Sequence, residues 1–469
     1  MDLKKLRCKI DFIFKISYLL LGIFTFNIIT TGTGFNKFYT YFVFVFGMAV
    51  FFFRVTAFKD YRNTKGLLLL IIFSVLSLLS AIINFRYGGI NNLVENAQSL
   101  VWMSFSFFNL YAYDASQKKT EIKKDFNIIS HFFLIYNMAA VIISIVMLFA
   151  NYSLIEVRNG ATVLGGFLWS RLWGIYTDPN HGAVASIVCI LLSMYFIKIK
   201  YSVWKKAIYI INIILSIIYI ACSDSRTGLV TVAVGLAVYI YLLLIKKEIK
   251  KINTRVIKNI FCIFVAIAVS VSAVFVISIT KVAITKAKII YSQGSNSVAE
   301  EELIIGRENS KYNADISDDI SNRRFSIWSS GLEIFAKSPL FGASFRGMVS
   351  FAEKLLPNTY ILNNGQGIFN CMHNSFLDVL VSQGIIGFGV FMAFAIIIFW
   401  SFCKKIFEMK QENDFSFVSV IFSIFATLVF SSLFISQIIY INSIGGILFW
   451  ILLGYLMNYI NQSSEPEER

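Results

Sequence analysis

The chain has 469 residues, of which 57% are apolar and only 15% charged, and Phe alone occupies 47 positions. Soluble domains run at roughly 45–50% apolar and about 25% charged, so the composition excludes a soluble enzyme, a disulfide-knit secreted module and a disordered chain. It predicts an all-α polytopic membrane protein. The formal net charge of +15 raises nucleic acid or anionic lipid as partners, and the placement of that charge decides between them and simple topology.

Apolar windows predict twelve spans, near residues 11–30, 39–55, 66–84, 96–114, 127–150, 181–197, 205–222, 227–245, 259–280, 376–403, 415–435 and 438–459. Each approaches the roughly 20 residues a spanning helix needs. The basic start followed by an apolar stretch resembles a signal peptide. The stretch is long and no small-x-small site follows Thr30, so a retained first helix is expected. With the N-terminus placed in the cytoplasm, the inner connections collect Lys4, Lys5, Arg7 and Lys9, then Arg54, Lys59, Arg62 and Lys65, and similar groups up to Lys404, Lys405 and Lys410. The outer connections, apart from one long segment, hold only Lys37, Arg86, Arg158, Arg171 and Arg226. This asymmetry is the positive-inside pattern. It makes most of the charge topological, leaves no need for nucleic acid, and puts both termini in the cytoplasm of a multi-pass bacterial cytoplasmic-membrane protein.

The expected organisation is residues 1–280 as spans one to nine, 281–375 as an extracytoplasmic loop with an interfacial helix, 376–460 as spans ten to twelve, and 461–469 as a cytoplasmic tail. Within the loop, Phe325, Trp328, Leu332 and Phe335 recur at helical spacing, with Asp318 and Ser321 as capping residues and Ser338-Pro339 and Gly342 as stops. Such a helix either lies along the membrane surface or packs on the spans. The six cysteines show no metal-ligand spacing, and small unlinked apolar residues is the favoured reading for all of them, including Cys222 and Cys371 on the outer side.

All four prolines fall outside the spans, and neither broken helices nor repeated halves are visible, so a transporter is disfavoured. Three outer helix ends carry chemistry instead. The first is Arg171-Leu-Trp-Gly174 through Asp178-Pro179-Asn180-His181. The second is Ser223-Asp224-Ser225-Arg226-Thr227-Gly228. The third is His373-Asn374-Ser375-Phe376-Leu377-Asp378, followed by Gly384, Gly387 and Gly389. Singly, each has a plainer alternative: Arg171 anchored to lipid phosphates, Arg226 capping carbonyls, the glycines permitting close helix packing. Together they suit phosphate recognition by forked guanidinium donors and proton removal by an imidazole titrating near neutrality. Those parts read as glycan transfer from a lipid diphosphate to a hydroxyl. His131, inside span five, is expected to be structural; His181 is expected to stand behind the site or beside a cap.

In this order, the motifs Arg171-x-x-Gly174…Asp178-Pro-Asn180, Ser225-Arg-Thr-Gly228, Arg324-x-x-x-Trp328, Pro339-Leu-Phe-Gly342 and His373-Asn374…Gly384-x-x-Gly387 resemble the O-antigen ligase and polysaccharide polymerase superfamily. The resemblance runs from about residue 160 to 400. It implies metal-independent transfer from an undecaprenyl-diphosphate-linked glycan, with His373 as base, Arg171, Arg226 and Arg324 at the diphosphate, and Asp178, Asn180 and Asn374 in support. It implies no cofactor, and a flippase and chain-length regulator as protein partners. Gln383 and Ser344 depart from the family's usual Glu and Gly. Heavy use of Ile, Phe, Asn and Lys, as in AT-rich genomes of capsulated Gram-positive cells, favours the polymerase branch over the ligase. A lipid-linked oligosaccharide flippase is the alternative from a different class.

Overall fold

The computed structural model describes residues 3–199, 202–247, 254–293, 303–306, 323–365, 367–409 and 411–462. A helix lies over every expected span. In chain order these are α1 (Leu3–Thr25), α2 (Gly34–Thr56), α3 (Leu67–Ile83), α4 (Phe85–Ser104, continued by a π-helix over Phe105–Tyr111) and α5 (Lys119–Phe149). After a small sheet come α6 (Pro179–Lys198), α7 (Val203–Ser223), α8 (Arg226–Ile245) and α9 (Arg255–Gln293). The long connection contributes α10 (Arg324–Lys337) and α11 (Met348–Leu355), and the chain closes with α12 (Ser375–Ile406), α13 (Glu412–Ser431) and α14 (Ile444–Asn461). The protein is an all-α polytopic membrane protein.

Nine of the described helices are long and apolar enough to cross a membrane: α2, α5 to α9 and α12 to α14. The other three fall short for local reasons. Lys4, Lys5, Arg7, Lys9, Asp11 and Lys15 crowd the first half of α1, α3 has 17 residues, and α4 is kinked at Gly89 (φ 62°, ψ −154°). At the centre lies α14, whose residues Ile444 to Ile460 are all buried. A helix apolar on every side belongs inside a bundle. Around it pack α13, α6 and the π-helix, with α8 seated against α6, α9 and α13. Asp11, in α1, is a buried acid, and it is neutralised by Arg54 at 2.8 Å.

Two departures from expectation shape the site. The first is a three-stranded antiparallel meander, β1 (Ser153–Arg158), β2 (Ala161–Leu168) and β3 (Arg171–Gly174), between α5 and α6. Its first turn, Asn159-Gly160, has φ of 49° and 81°, the type I′ geometry that this dipeptide favours. That dipeptide was a readable signal in the sequence. The second turn, Trp169-Ser170, adopts φ of 50° and 58° without glycine, so no composition signal announced it.

The second departure is helical breakage. In α12, Gly384 has φ 63° and ψ −167°, which interrupts the helix. Residues 339–344 fill the break: Ala343 N donates to Val381 O at 2.8 Å, Ser344 N to Ser382 O at 3.0 Å, and Ile385 N to Pro339 O at 2.8 Å. A Cβ on Gly342 would meet the Ser382 carbonyl carbon at 2.4 Å, and one on Gly384 would meet Leu340 O at 2.3 Å. The Pro339-Leu-Phe-Gly342 and Gly384-x-x-Gly387 motifs are therefore two halves of one docking contact. Irregular backbone inside a bundle is tolerated where protein groups satisfy it, and here Asn84 Nδ2 also donates to Gly342 O at 2.9 Å.

Other boundaries move too. The ninth expected span, 259–280, lies in α9, which continues to Gln293. Its 39 residues reach about 58 Å at 1.5 Å per residue, well beyond a hydrocarbon core. The last span was expected from 438, but an irregular segment follows α13 and the helix starts at Ile444. Helix α10 buries Ile327, Ser330, Gly331 and Ile334 and leaves Phe325 and Leu332 exposed. The expected apolar stripe is thus largely its outward face. The capping residues assigned to it, Asp318 and Ser321, lie outside the described residues; Arg323, with φ 67°, precedes its first turn without a side-chain cap. All six cysteines are unlinked.

Candidate active site

The three chemistry-bearing helix ends meet at one end of the bundle. Asp178 is the N-cap of α6 and accepts from Asn180 N at 2.7 Å, with Pro179 in the first helical position. Asn180 Oδ1 in turn accepts from Ser225 Oγ at 2.8 Å. Ser225 is the N-cap of α8 and accepts from Gly228 N, so a short chain of hydrogen bonds ties the start of α6 to the start of α8. Between α7 and α8 the backbone reverses at Asp224, whose φ is 46°. Arg226 is the first residue of α8 and is exposed.

The other two arginines close on the same reversal. Arg171, opening β3, donates from Nε to Ser223 O at 2.9 Å. Arg324, opening α10, donates from Nη2 to Thr227 Oγ1 at 3.1 Å and lies 5.7 Å from the Phe434 ring centroid. One guanidinium therefore docks on each side of Arg226. Each is preceded by left-handed backbone: Arg171 follows the Trp169-Ser170 turn and Arg324 follows Arg323. Such conformations cost about 1 kcal/mol or more and persist where surrounding structure fixes them.

His373 sits immediately before α12, itself left-handed at φ 50°. The peptide before it is held from both sides. Met372 N donates to Asp378 Oδ1 at 2.7 Å, and Met372 O accepts the Trp328 indole N–H at 3.0 Å. Asn374 caps α12 by accepting from Phe376 N and Leu377 N. Its support is therefore to the backbone that carries His373. Burial pulls the His373 imidazole below its ordinary value; Asp178 opposes this, while Arg324 and His181 push the same way. Those three residues come from the other helix ends, so the electrostatic environment of His373 is built by α6 and α10 together.

His181 is buried within the start of α6, its ring 4.6 Å from that of Phe26. His131 is elsewhere: its Nδ1 bonds Asn127 O at 2.7 Å and its Nε2 the Tyr209 hydroxyl at 2.8 Å. That is a structural histidine. Among the described residues, no group of three or more His, Cys, Asp or Glu side chains gathers where it could hold a metal ion.

Residues 211–392 match the family model described as O-antigen ligase. The match covers less than half of the chain and supports a likeness to the O-antigen ligase and polymerase superfamily. The O-antigen ligase region contains Arg226, Arg324, His373 and Asn374, and both halves of the glycine docking contact; Arg171, Asp178 and Asn180 precede it. A search of curated proteins finds no match. That likeness, with the apolar helices, supports in general terms a multi-pass membrane enzyme of the glycan ligase and polymerase type. Two further features of the chain escaped the sequence. Lys281 and Lys288 lie on the extension of α9, in residues read as loop, and Lys281 Nζ pairs with Asp224 Oδ1 at 2.9 Å. The hold on Met372 by Asp378 has no sequence signal, because it depends on an unwound turn meeting a helix.

Proposed function

We propose that this protein is a polysaccharide repeat-unit polymerase. It transfers glycan from an undecaprenyl-diphosphate donor to a sugar hydroxyl of a lipid-linked acceptor, on the outer face of the cytoplasmic membrane. The observation that carries this reading is the docking of Arg171 and Arg324 on either side of Arg226, with Arg324 also acting on His373. Forked donors match diphosphate oxygens. A buried imidazole kept neutral is suited to take a hydroxyl proton.

In the reaction, His373 removes the proton of the acceptor hydroxyl as that oxygen attacks the anomeric carbon of the donor. The bond from anomeric carbon to diphosphate oxygen breaks, and undecaprenyl diphosphate leaves with the bonding pair. The arginines bind its developing charge, a role that needs no metal ion. Asp178 and Asn180 hold α6 and α8 in register, and Asn374 holds the start of α12. The superfamily likeness and the charge asymmetry of the connections support an outer-face site with both termini cytoplasmic; a flippase and a chain-length regulator are the protein partners.

The test is incubation of purified protein with lipid-linked repeat unit, with and without excess EDTA, followed by sizing of the products. A ladder of lipid-linked oligomers that survives EDTA is expected. Transfer only to a different acceptor would make the protein a ligase, and no transfer at all would leave a flippase.

A further inference from the structure

Ser375 opens α12 two residues after His373 and is fully buried. The cap of that helix is Asn374, and the Ser375 side chain turns instead to the irregular segment between α13 and α14. Its Oγ donates to Ile435 O at 3.2 Å and accepts from Gln437 N at 2.9 Å and Ile438 N at 3.4 Å. Ser375 N donates to Ser432 O at 2.8 Å. A serine hydroxyl offers one donor and two acceptor lone pairs, and residues 435–438 use all three.

The segment that grips Ser375 is itself fastened to the helices on either side of it. Gln437, also fully buried, donates from Nε2 to Leu428 O at 3.0 Å and to Ser432 Oγ at 3.2 Å. Ser443 Oγ donates to Gln437 O at 3.1 Å, and Trp450 Nε1 donates to Ile438 O at 2.8 Å. The same segment carries Phe434, whose ring centroid lies 5.7 Å from the Arg324 guanidinium. A closed circuit results. Arg324 opens α10, and one turn on Trp328 donates to Met372 O. The chain runs on through His373 to Ser375, Ser375 binds residues 435–438, and Phe434 returns to Arg324. His373 and Arg324 are thus tied to each other on both sides.

We propose that Ser375 is a positioning residue: through residues 432–438 and Phe434 it sets the His373 imidazole relative to the Arg324 guanidinium. This rests on the reading of His373 as base and Arg324 as diphosphate ligand. The Ser375 hydroxyl is committed to backbone groups, so it acts through the alignment of the two side chains and not on substrate. That alignment matters when the acceptor hydroxyl loses its proton and the diphosphate leaves. A misplacement of about 1 Å can cost about 10²-fold in rate. Loss of an interaction realised only in the transition state lowers kcat and leaves KM in place.

The experiment measures transfer by purified full-length protein from repeat unit carried on undecaprenyl diphosphate, normalised to the fraction that binds donor, and records thermal unfolding. Ser375→Ala should lower kcat about ten- to a hundredfold with KM for donor unchanged. Phe434→Leu leaves the bonds of Ser375 and the Arg324–Thr227 bond in place, and should lower kcat several-fold. The double variant should lose no more than Ser375→Ala alone, because both changes open one circuit. Thr64→Val is the control: it removes a buried hydroxyl that bonds Tyr113 N at 3.1 Å, in the connection before α3. It should lower the melting temperature and leave kcat alone. Wild-type kcat in Ser375→Ala, multiplicative losses in the double variant, or an equal loss in Thr64→Val each overturn the proposal. If Ser375→Ala does not fold, Phe434→Leu decides, and wild-type kcat there overturns it. Full activity in His373→Ala or Arg324→Ala would instead overturn the reading beneath it.

Discussion

Arg324 donates to the Thr227 hydroxyl across 97 residues of chain. The contact joins the first turn of α10 to the first turn of α8, one residue beyond Arg226. It brings a residue of the long connection into the site that α6, α7 and α8 build.

Arg324→Lys keeps the charge and loses the fork. Its kcat/KM for lipid-linked donor should fall about tenfold or more, since a point ammonium cannot hold Thr227 and a phosphate oxygen together. Thr227→Val removes only the neutral hydroxyl and should cost a few-fold, in line with about 1 kcal/mol for such a bond. Equal losses in the two variants would show that Arg324 acts only through Thr227.

The pH profile should carry the signature of His373. Burial disfavours its charged form, so the folded-state value lies below 6.5. Activity depends on the neutral base; it should therefore hold steady from above pH 6.5 down to that lower value and fall as pH drops through it. His373→Ala should lose about 10²–10⁴-fold in rate with donor affinity retained, and His131→Ala should match wild type at equal expression. An acid limb centred above 6.5 in the wild type would contradict a buried neutral base.

Trp328→Phe tests the hold on the peptide before His373. It removes the donor to Met372 O while keeping most of the ring. The left-handed His373 then loses one of two fixed points. kcat should drop several-fold with KM for donor unchanged, whereas loss of packing alone would show first as a lower melting temperature.

Two glycines of one helix should respond oppositely to alanine. At Gly384 the new Cβ meets Leu340 O at 2.3 Å on a backbone with φ 63°. Gly384→Ala should destabilise by about 3 kcal/mol or prevent folding. At Gly389 nothing lies within 4 Å, so Gly389→Ala should be neutral or stabilise by about 0.5–1 kcal/mol. Thermal unfolding in detergent compares them directly.

Orientation has its own measurement. A cysteine placed at position 295, in a chain whose native cysteines are replaced by alanine, should react with a membrane-impermeant thiol reagent in intact cells. Labelling only after lysis would put the long connection on the cytoplasmic side.

Composition and charge placement by themselves determined that this is a helical membrane protein, where its helices run, and which helix ends carry Arg and His. Those features are local: apolar runs such as Gly66–Ile83 declare a span with no help from distant residues, and Asp178-Pro179-Asn180 declares a helix start. The Asn159-Gly160 turn was legible in the same way. Tertiary structure alone decided the rest. Leu340 and Gly384 were motif letters until the broken α12 gave residues 339–344 unpaired backbone groups to satisfy. The Trp169-Ser170 turn before Arg171 has no favoured dipeptide, because its strain is balanced by contacts outside the hairpin. Lys288 lies in residues read as loop, and only the continuation of α9 to Gln293 and its packing on the hairpin bring its ammonium onto the Phe167 ring. Local patterning fixes which segments leave water; where two segments satisfy each other's polar groups is settled by their meeting in space.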